Sequence, residues 1–407
     1  MARMHRVISW DAEDMSITVE PSIQMNHLMD TMHELGMSMP FHYIPIYTAL
    51  TIGGMLLTGA HSSSVERPSA FGHLVSELEY VDSHGEVRRE ENPTRWIGSL
   101  GMYGIITQVT LRATAPYKLN TTAAVGGKMG LMLDQVNFTP IPTDWTICYF
   151  EKHLPPFWYK EGSTNLWLGF NESVIGWPHK LGGSSCEGSQ VGCYWQNQVQ
   201  ILIEFDMDVR LLGQWIREVR SITDSIRYHG CLPSLLGFAM RFGKASSAPL
   251  DMAYGRDTVY IDMLVAKGIP GLPANHQDVL DEIEQITFGK YDARPHWGKN
   301  PERAFLSQDY PVRNKYPEFD RHIQMARSAD PRGIFEPALF SQIKDRGHHS
   351  MYPGCAVAMD CYCSKDEHCG PSLLYRCDRS LHSANASVCR KRFDLAIVTT
   401  LGKLLRV

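Results

Sequence analysis

The string HWGK at residues 296–299 places an imidazole, an indole and a cation within four residues. Such residues can form one wall of an active site, or they can lie in an exposed loop. From the residues alone, Lys299 is more typical of a solvated loop lysine, and His296 can either position a substrate or bond a backbone group. Trp297 is expected to pack and to hold the loop, because a large aromatic ring buries much apolar area.

Two glycine-rich stretches lie in the N-terminal third of the chain, TIGGMLLTGAHSSS at 51–64 and GSLGMYGIITQV at 98–109. Glycines allow close backbone approach, and N–H groups and serine hydroxyls can bind phosphate oxygens. Neither stretch matches a Walker loop or the GxGxxG dinucleotide fingerprint. Taken singly, each is typical of tight turns and helix–strand packing. Taken together, they could cradle a pyrophosphate and hold a planar cofactor against the backbone.

The elements that must position these residues can be predicted from periodicity. Strands are predicted at 16–22, on both sides of a His84–Gly85 turn, and at the end of 101–113; a helix over 23–35 should stop at Gly36. The uncharged segment 36–61 is predicted to be a buried strand–turn passage rather than a transmembrane helix. Four further strands, 145–152, 199–207, 237–245 and 258–266, alternate with helices at 209–222 and at 275–288, the latter with Asn275 as N-cap. Residues 155–195 are predicted to form long loops. This order indicates an antiparallel sheet carrying helices on one side.

Composition narrows the class of protein. The formal net charge of −5 gives no electrostatic footprint for nucleic acid, which is therefore not an expected partner. Six of the ten cysteines lie between 355 and 389, which indicates a small disulfide-linked module; a zinc site is the alternative, although paired CxxC motifs are absent. Glycosylation acceptor triplets at Asn120, Asn137, Asn171 and Asn385 favour an oxidising, secretory compartment.

The order TIGG, GAHSSS, GSLGxxGIIT and HWGK resembles the vanillyl-alcohol-oxidase-type flavoproteins, and within them the aldonolactone oxidases. The cysteine-rich segment and AMRFGKASSAPL resemble the plant L-gulonolactone oxidases. This resemblance implies an α+β fold with five parts. They are an N-terminally truncated FAD-binding domain (1–117), a substrate or cap domain with an antiparallel sheet and helices (118–300), a segment returning to the FAD domain (301–345), a cysteine-rich module (346–390) and a tail (391–407).

The resemblance also implies an activity and a site. The activity is FAD-dependent oxidation of L-gulono-1,4-lactone or a related aldono-1,4-lactone at C2, to ascorbate or an analogue, with dioxygen as acceptor. The catalytic residues would be Lys299, Arg241 and His296, because fixed positive groups stabilise a developing alkoxide. No metal is expected. The cofactor-binding residues would be Gly53, Gly54, Gly59, Ala60, His61, Ser63, Ser64, Gly98, Ser99, Gly101, Gly104, Ile106 and Thr107.

The sequence departs from the family pattern at three places. The glycine-rich N-terminal unit is not found, so FAD is expected to bind non-covalently. Ser62 stands where GAHGSS has glycine, and Ala239 stands where many relatives have an acid. Two alternatives stay open: a catalytically degenerate secreted relative that binds a sugar or protein, and an oxidase of another polyol or sugar. The chain is expected in the secretory pathway or outside the cell, with peripheral membrane association left open.

Overall fold

The computed structural model describes residues 4–44, 50–122, 157–161, 164–168, 173–180, 200–224, 238–266, 277–344, 351–370, 374–380 and 382–391. The strand predicted at 145–152, the acceptor triplets at Asn137 and Asn171, and the N-cap role of Asn275 lie outside these residues.

The N-terminal region is built on an antiparallel sheet of five strands in the order β1-β2-β5-β3-β4. They are β1 (Val7–Asp11), β2 (Ser16–Val19), β3 (Val75–Val81), β4 (Val87–Glu91) and β5 (Ile105–Arg112). The predicted turn between β3 and β4 is confirmed, with Gly85 at a φ of +82°. β5 is the central strand: it pairs with β2 on one side and with β3 on the other, and so joins the two hairpins into one sheet. Side chains in the middle of this sheet, such as Leu78 and Val109, are fully buried.

Two helices lie in this region, α1 (Met25–Glu34) and α2 (Ile52–Thr58). α1 confirms the helix predicted over 23–35, because its buried residues recur at helical spacing, at Met25, Leu28, Met29 and Met32. α2 corrects the prediction of a strand–turn passage. Thr51 caps it through its side chain, which accepts the Gly54 N–H at 3.3 Å, and Gly59 ends it in the left-handed conformation. Burial of Ile52, Met55 and Leu56 offsets the low helix propensity of the two glycines.

Four short strands follow: β6 (Leu119–Thr122), β7 (Phe157–Glu161), β8 (Thr164–Leu168) and β9 (Ser173–Gly176). β7 and β8 form a hairpin, and β6 pairs with β9. The prediction of long loops over 155–195 is therefore wrong for these strands.

The cap region contains a second antiparallel sheet, in the order β11-β12-β10-β13. Its strands are β10 (Gln200–Asp208), β11 (Phe238–Gly243), β12 (Thr258–Ala266) and β13 (Arg294–Pro295). The first three confirm the strands predicted from alternation. α3 (Leu212–Asp224) and α4 (Gln277–Lys290) pack beside this sheet. Trp215 of α3 donates its indole N–H to Thr287 of α4 at 2.8 Å and contacts Phe205 of β10, which fixes the helix layer on the sheet.

The rest of the chain returns to both regions through α5 (Arg303–Leu306), α6 (Phe319–Ala329) and α7 (Ala338–Lys344) and ends in a hairpin, β14 (Tyr375–Arg379) with β15 (Ser387–Lys391). Short 3₁₀ turns lie at Phe41–Tyr43, Phe71–Leu74, Thr94–Trp96, Pro178–Lys180, Val209–Leu211, Val312–Asn314 and Asp366–Cys369. Disulfides join Cys355 to Cys361, Cys363 to Cys377 and Cys369 to Cys389, which confirms the disulfide module. None of the helices described has both the length and the apolar character needed to cross a bilayer.

Candidate active site

The structure brings the glycine-rich stretches and the HWGK segment into direct contact. A Cβ added at Gly98 would lie 2.8 Å from the indole Cδ1 of Trp297 and from the carbonyl oxygen of Leu250. A Cβ added at Gly298 would lie 2.9 Å from the Cβ of Thr58, at the end of α2. Both glycines are therefore required for close packing between the N-terminal region and the HWGK segment.

Trp297 anchors this segment and is 5% exposed. Its indole N–H donates to the Leu250 carbonyl at 2.9 Å, and its ring packs against Phe305, Tyr316 and Phe340. The predicted packing role of Trp297 is confirmed, and it fixes the backbone position from which Lys299 extends.

A cluster of charged side chains lies on the cap sheet. We define the charge cluster as Glu204 of β10, Arg241 of β11, Asp262 of β12, Lys299 and His61. Glu204 and Asp262 are directly opposite each other in the β10–β12 ladder. Arg241 donates to Glu204 Oε2 at 2.5 Å and also to Asp262 Oδ2. Two buried carboxylates on neighbouring strands are thus held side by side by one guanidinium group.

Lys299 reaches the same pair of acids from the HWGK segment. Its Nζ lies 2.6 Å from Glu204 Oε2 and 2.8 Å from Asp262 Oδ1. An ammonium group has three N–H donors, and these two contacts use two of them. The predicted pair Lys299 and Arg241 is therefore brought together, with both cations bridging the same two carboxylates.

His61 enters the cluster from the GAHSSS segment. Its Nε2 lies 2.6 Å from Glu204 Oε1, its Nδ1 lies 3.1 Å from the Ser62 carbonyl oxygen, and its ring stacks on Tyr260 at 3.7 Å. Both ring nitrogens thus face oxygen atoms, and an N–H of the ring can donate to one of them. Sequence analysis predicted a cofactor contact for His61; the structure adds a direct contact with Glu204.

His296 and Asn300 organise the backbone around the charge cluster. His296 Nδ1 accepts the Gly298 N–H at 2.9 Å, and its Nε2 lies 3.8 Å from Glu204 Oε1. The Asn300 side-chain oxygen accepts the N–H groups of both His296 and Glu204, at 3.0 and 3.2 Å. Of the two roles left open for His296, a backbone bond is therefore present, and the HWGK segment is tied to β10 at the level of Glu204.

Burial and neighbouring charges shift the pKa values of the two acids of the cluster in opposite directions. Burial acts to raise the pKa of Glu204, but His61, Lys299, Arg241 and His296 hold that pKa well below its usual range. Burial raises the pKa of Asp262, and Glu204 adds to that increase, although Arg241 and Lys299 oppose it. Burial also lowers the pKa of His296 well below its usual range, so its ring is neutral. The two carboxylates consequently have different proton affinities.

His61, Glu204 and His296 bring three potential ligand atoms within 4.8 Å of one another, but the geometry does not suit a metal ion. His296 accepts a backbone N–H at Nδ1, which leaves the proton of its neutral ring on Nε2, the atom that faces Glu204. A metal-bound imidazole requires a lone pair on that atom. Lys299 and Arg241 also occupy the other oxygen of Glu204 and would repel a cation.

The site suits a group that accepts hydrogen bonds, such as the flavin of FAD. Lys299 and Arg241 balance the charge of the two carboxylates and place N–H donors at the partly open side of the cluster. The buried amide nitrogen of Asn300 has no hydrogen-bond partner among the residues that the structure describes, so one donor is available beside the cluster. Gly54 is exposed, although a Cβ there would lie 2.9 Å from Thr51 Oγ1. A Cβ at Gly101 would meet Leu57 at 3.7 Å, an ordinary contact distance, so Gly101 leaves space for a bound group among the described residues.

Several residues predicted to contact FAD form hydrogen bonds or packing contacts with other residues of the chain. The N–H groups of Gly53 and Ala60 donate to the Pro21 and Met55 carbonyls, and a Cβ at Gly104 would lie 2.4 Å from the Val81 carbonyl oxygen. Ser63 Oγ accepts the Phe242 N–H at 3.0 Å. Their contacts with FAD stay predictions, as do those of the other predicted cofactor-binding residues: Gly59, Ser64, Ser99, Ile106 and Thr107. Ser62 is outside the set of positive-φ residues, so a side chain there adds no backbone strain.

Sequence analysis missed Glu204, Asp262 and Asn300. The signal for the two acids was a charged residue inside an otherwise apolar strand, in ILIEF and YIDML. Ala239 stands where many relatives have an acid, and Asp262 lies directly opposite Ala239 in the β11–β12 ladder. An acid missing from β11 is therefore matched by an acid on the adjacent strand.

Three family models match parts of the chain. The model described as D-arabinono-1,4-lactone oxidase matches residues 181–343, the FAD binding domain model matches residues 1–90, and the model described as L-gulonolactone oxidase 2-like, C-terminal domain, matches residues 352–391. The three matches follow one another along the chain without overlap.

The chain is also similar to curated proteins of Arabidopsis thaliana. It is 26% identical to Probable L-gulonolactone oxidase 6, covering 98% of this chain and 80% of that protein. It is 26% identical to L-gulonolactone oxidase 5, covering 95% of this chain and 79% of that protein. Among solved structures, a solvent-stable cholesterol oxidase matches with a TM-score of 0.56 at 14% identity and 84% coverage of both chains. That likeness concerns the fold alone and supports the predicted fold class.

Proposed function

Because the chain belongs to the plant-type aldonolactone oxidases, which are FAD-linked oxidoreductases, we propose that its substrate is L-gulono-1,4-lactone or a related aldono-1,4-lactone. Oxidation takes place at C2 and yields ascorbate or an analogue, with dioxygen as the final electron acceptor. The observation that supports this proposal best is the charge cluster, which places Lys299 and Arg241 side by side in a nearly dry site.

FAD, when bound, supplies the oxidant that takes two electrons and a hydrogen from the substrate carbon. The loops at 59–64 and 98–107 would hold it beside the charge cluster. The chain's own groups bind and polarise the lactone. The third N–H of Lys299 is available for the C2 oxygen, and the fixed positive charges stabilise the alkoxide that develops as the hydroxyl loses its proton.

The charge cluster is accessible to solvent from one side. The side chain of Lys299 is 17% exposed, whereas Glu204 behind it is fully buried. One side of the cluster is therefore open to a substrate, and the other side is closed by His61, Tyr260 and His296. A low local dielectric strengthens each electrostatic contact with a substrate oxygen.

The compartment proposed for the protein is the secretory pathway or the cell exterior. The three disulfides are typical of an oxidising environment. Asn120 and Asn385 lie in exposed positions, where a glycosyl transferase could reach them. Peptide mapping before and after removal of N-linked glycans from the protein secreted by plant cells tests this assignment.

The activity is tested by adding L-gulono-1,4-lactone anaerobically to the oxidatively folded, FAD-reconstituted chain while the visible flavin spectrum is recorded. Bleaching of protein-bound flavin is expected. Retained flavin that does not bleach with any aldonolactone would overturn the proposed function.

Two variants sharpen this experiment. Lys299→Met removes one preorganised positive group and is expected to slow bleaching by about 10²–10³-fold. Lys365→Met, at a side chain that is 70% exposed in the cysteine-rich module, is the matched control and should leave the rate unchanged. Equal rates in both variants would exclude the role assigned to Lys299.

A further inference from the structure

Resting on the proposed function, we propose that Asp262 is the group that accepts the proton of the substrate C2 hydroxyl. The charge cluster contains two carboxylates, and a proton acceptor must be one that is both reachable and able to bind a proton. Their contacts separate the two candidates.

Glu204 is enclosed and fully neutralised. Its two oxygens contact His61, Lys299 and Arg241 at 2.5–2.6 Å, with His296 at 3.8 Å, and its side chain has no exposed area. A proton on Glu204 would break contacts with the cations that hold it. Glu204 is therefore an anchor that stays ionised.

Asp262 lies on the open side of the same cluster. Its side chain is 10% exposed and, within the described part of the chain, it forms ion pairs with two cations, Lys299 at Oδ1 and Arg241 at Oδ2. It thus borders the same ammonium group that is expected to bind the substrate oxygen. A hydroxyl that accepts the third N–H of Lys299 would be bound to an ammonium group whose Nζ lies 2.8 Å from Asp262 Oδ1, so Asp262 is the carboxylate beside it on the open side.

The groups that face Asp262 come from three directions. Arg241 faces it from β11, Glu204 from β10 and Lys299 from the HWGK segment. Burial raises the pKa of Asp262, and the neighbouring Glu204 charge adds to the increase. When environments push the proton affinities of two neighbouring carboxyl groups apart, the two groups take different roles.

The proposed step balances in atoms and electrons. The O–H bond of the C2 hydroxyl breaks and its proton binds an oxygen of Asp262. The electron pair of that bond becomes the second bond of the C2 carbonyl. The C2–H bond breaks, and its hydrogen leaves with two electrons; FAD, held by the predicted cofactor loops, would supply the oxidant for these two electrons. Asp262 later releases its proton to water.

The test compares the wild type with Asp262→Asn, Asp262→Glu and Asp320→Asn. Asp320 pairs with Arg313 and its side chain is 65% exposed, so Asp320→Asn is the matched control. Flavin bleaching is followed across pH at saturating lactone. Asp262→Asn is expected to slow bleaching by about 10²–10⁴-fold and to remove the acidic limb of the pH profile. Asp262→Glu should restore that limb, and Asp320→Asn should match the wild type.

A second readout uses the FAD-free chain, so it is independent of turnover. An acid whose folded pKa is raised binds more protons in the folded state, so its contribution to stability falls as pH rises above its ordinary value of 3.8. The free energy of unfolding in urea should therefore decrease between pH 4 and pH 6 in the wild type relative to Asp262→Asn, by an amount set by the shift.

The outcomes separate the two proposals. A wild type that does not bleach means that the proposed function fails. A wild type that bleaches, with Asp262→Asn keeping the same acidic limb and a rate within tenfold, means that the Asp262 assignment fails alone. Loss of rate in Asp262→Asn without any change in the pH profile would also overturn it, because that pattern indicates a structural role.

Discussion

Glu204→Gln is the substitution expected to damage the charge cluster most while changing side-chain shape least. Glutamine keeps the size of glutamate but removes the negative charge that Lys299 and Arg241 contact. The side chain of Glu204 is 0% exposed, so water cannot replace the lost charge. Lys299 and Arg241 would then share only the charge of Asp262 among the acids of the cluster.

The expected magnitude follows from these contacts. A unit charge pair at about 2.6 Å is worth about 6 kcal/mol at an effective dielectric constant near 20, before the cost of desolvation. Desolvation offsets much of that value, and loss of one partner of a buried pair costs about 3–5 kcal/mol. Glu204→Gln should therefore lower the folding equilibrium constant by about 10²–10⁴-fold.

The assay is urea unfolding of the FAD-free chain at pH 7, with Glu318→Gln as the matched control. Arg321 of α6, whose side chain is 75% exposed, donates at 2.9 Å to Glu318, the residue before the helix; an exposed ion pair of this kind contributes at most about 1 kcal/mol. The reasoning is refuted if Glu204→Gln destabilises the chain no more than Glu318→Gln does. Such a result would mean that the cluster rearranges or takes up water at little cost.

The same residue predicts a dependence on pH. The folded pKa of Glu204 is depressed, so its contribution to stability is present above its ordinary value of 4.5 and is lost as the pH falls toward the folded pKa. The destabilisation by Glu204→Gln should thus shrink below about pH 4.5. An unchanged difference between pH 7 and pH 3 would contradict the depressed pKa.

Two further predictions concern the scaffold, and both are measured by urea unfolding. Gly98→Ala should lower the free energy of unfolding by more than about 3 kcal/mol, because Gly98 has a φ of +74° and the new Cβ would meet Leu250 and Trp297. Gly85→Ala, the control, should lower it by about 1–2 kcal/mol, because Gly85 has a φ of +82° but no described atom within 4 Å of the new Cβ. Equal losses in the two variants would contradict the packing contact at Gly98. Replacing Cys369 and Cys389 by serine should cost about 3 kcal/mol, and replacing Cys355 and Cys361 about 2 kcal/mol, because the first pair closes 20 residues and the second 6. The reverse order would contradict the loop-length argument.

Periodicity was sufficient for the elements whose sequence carries one dominant signal. The strands at 200–208, 238–243 and 258–266 were predicted within a residue or two because apolar and polar residues alternate there. α2 was missed because Gly53 and Gly54 have low helix propensity. Its ends were nevertheless visible in the sequence, as Thr51 before it and Gly59 after it. Tertiary burial of one apolar face decided the outcome against local propensity.

The site was predictable only where a short motif carried it. Lys299 and Arg241 followed from a family resemblance, and the structure brings them to the same two acids. Glu204 and Asp262 could not be placed beside them, because periodicity does not say which strands become neighbours. Their cross-strand pairing depends on β12 lying between β10 and β11, an order that the chain does not follow in sequence.

The charge cluster also couples two parts of the fold. His61 extends from the segment after α2 in the N-terminal region, whereas Glu204 belongs to the cap sheet, and their contact at 2.6 Å is buried on both sides. Close packing of Gly98 against Trp297 and of Gly298 against Thr58 joins the same two parts of the fold beside that contact. An ion pair in such surroundings is stable only when its geometry is maintained. The same interactions that place Lys299 and Asp262 for chemistry therefore hold the two regions in one relative position, so loss of the cluster should affect activity and folding together.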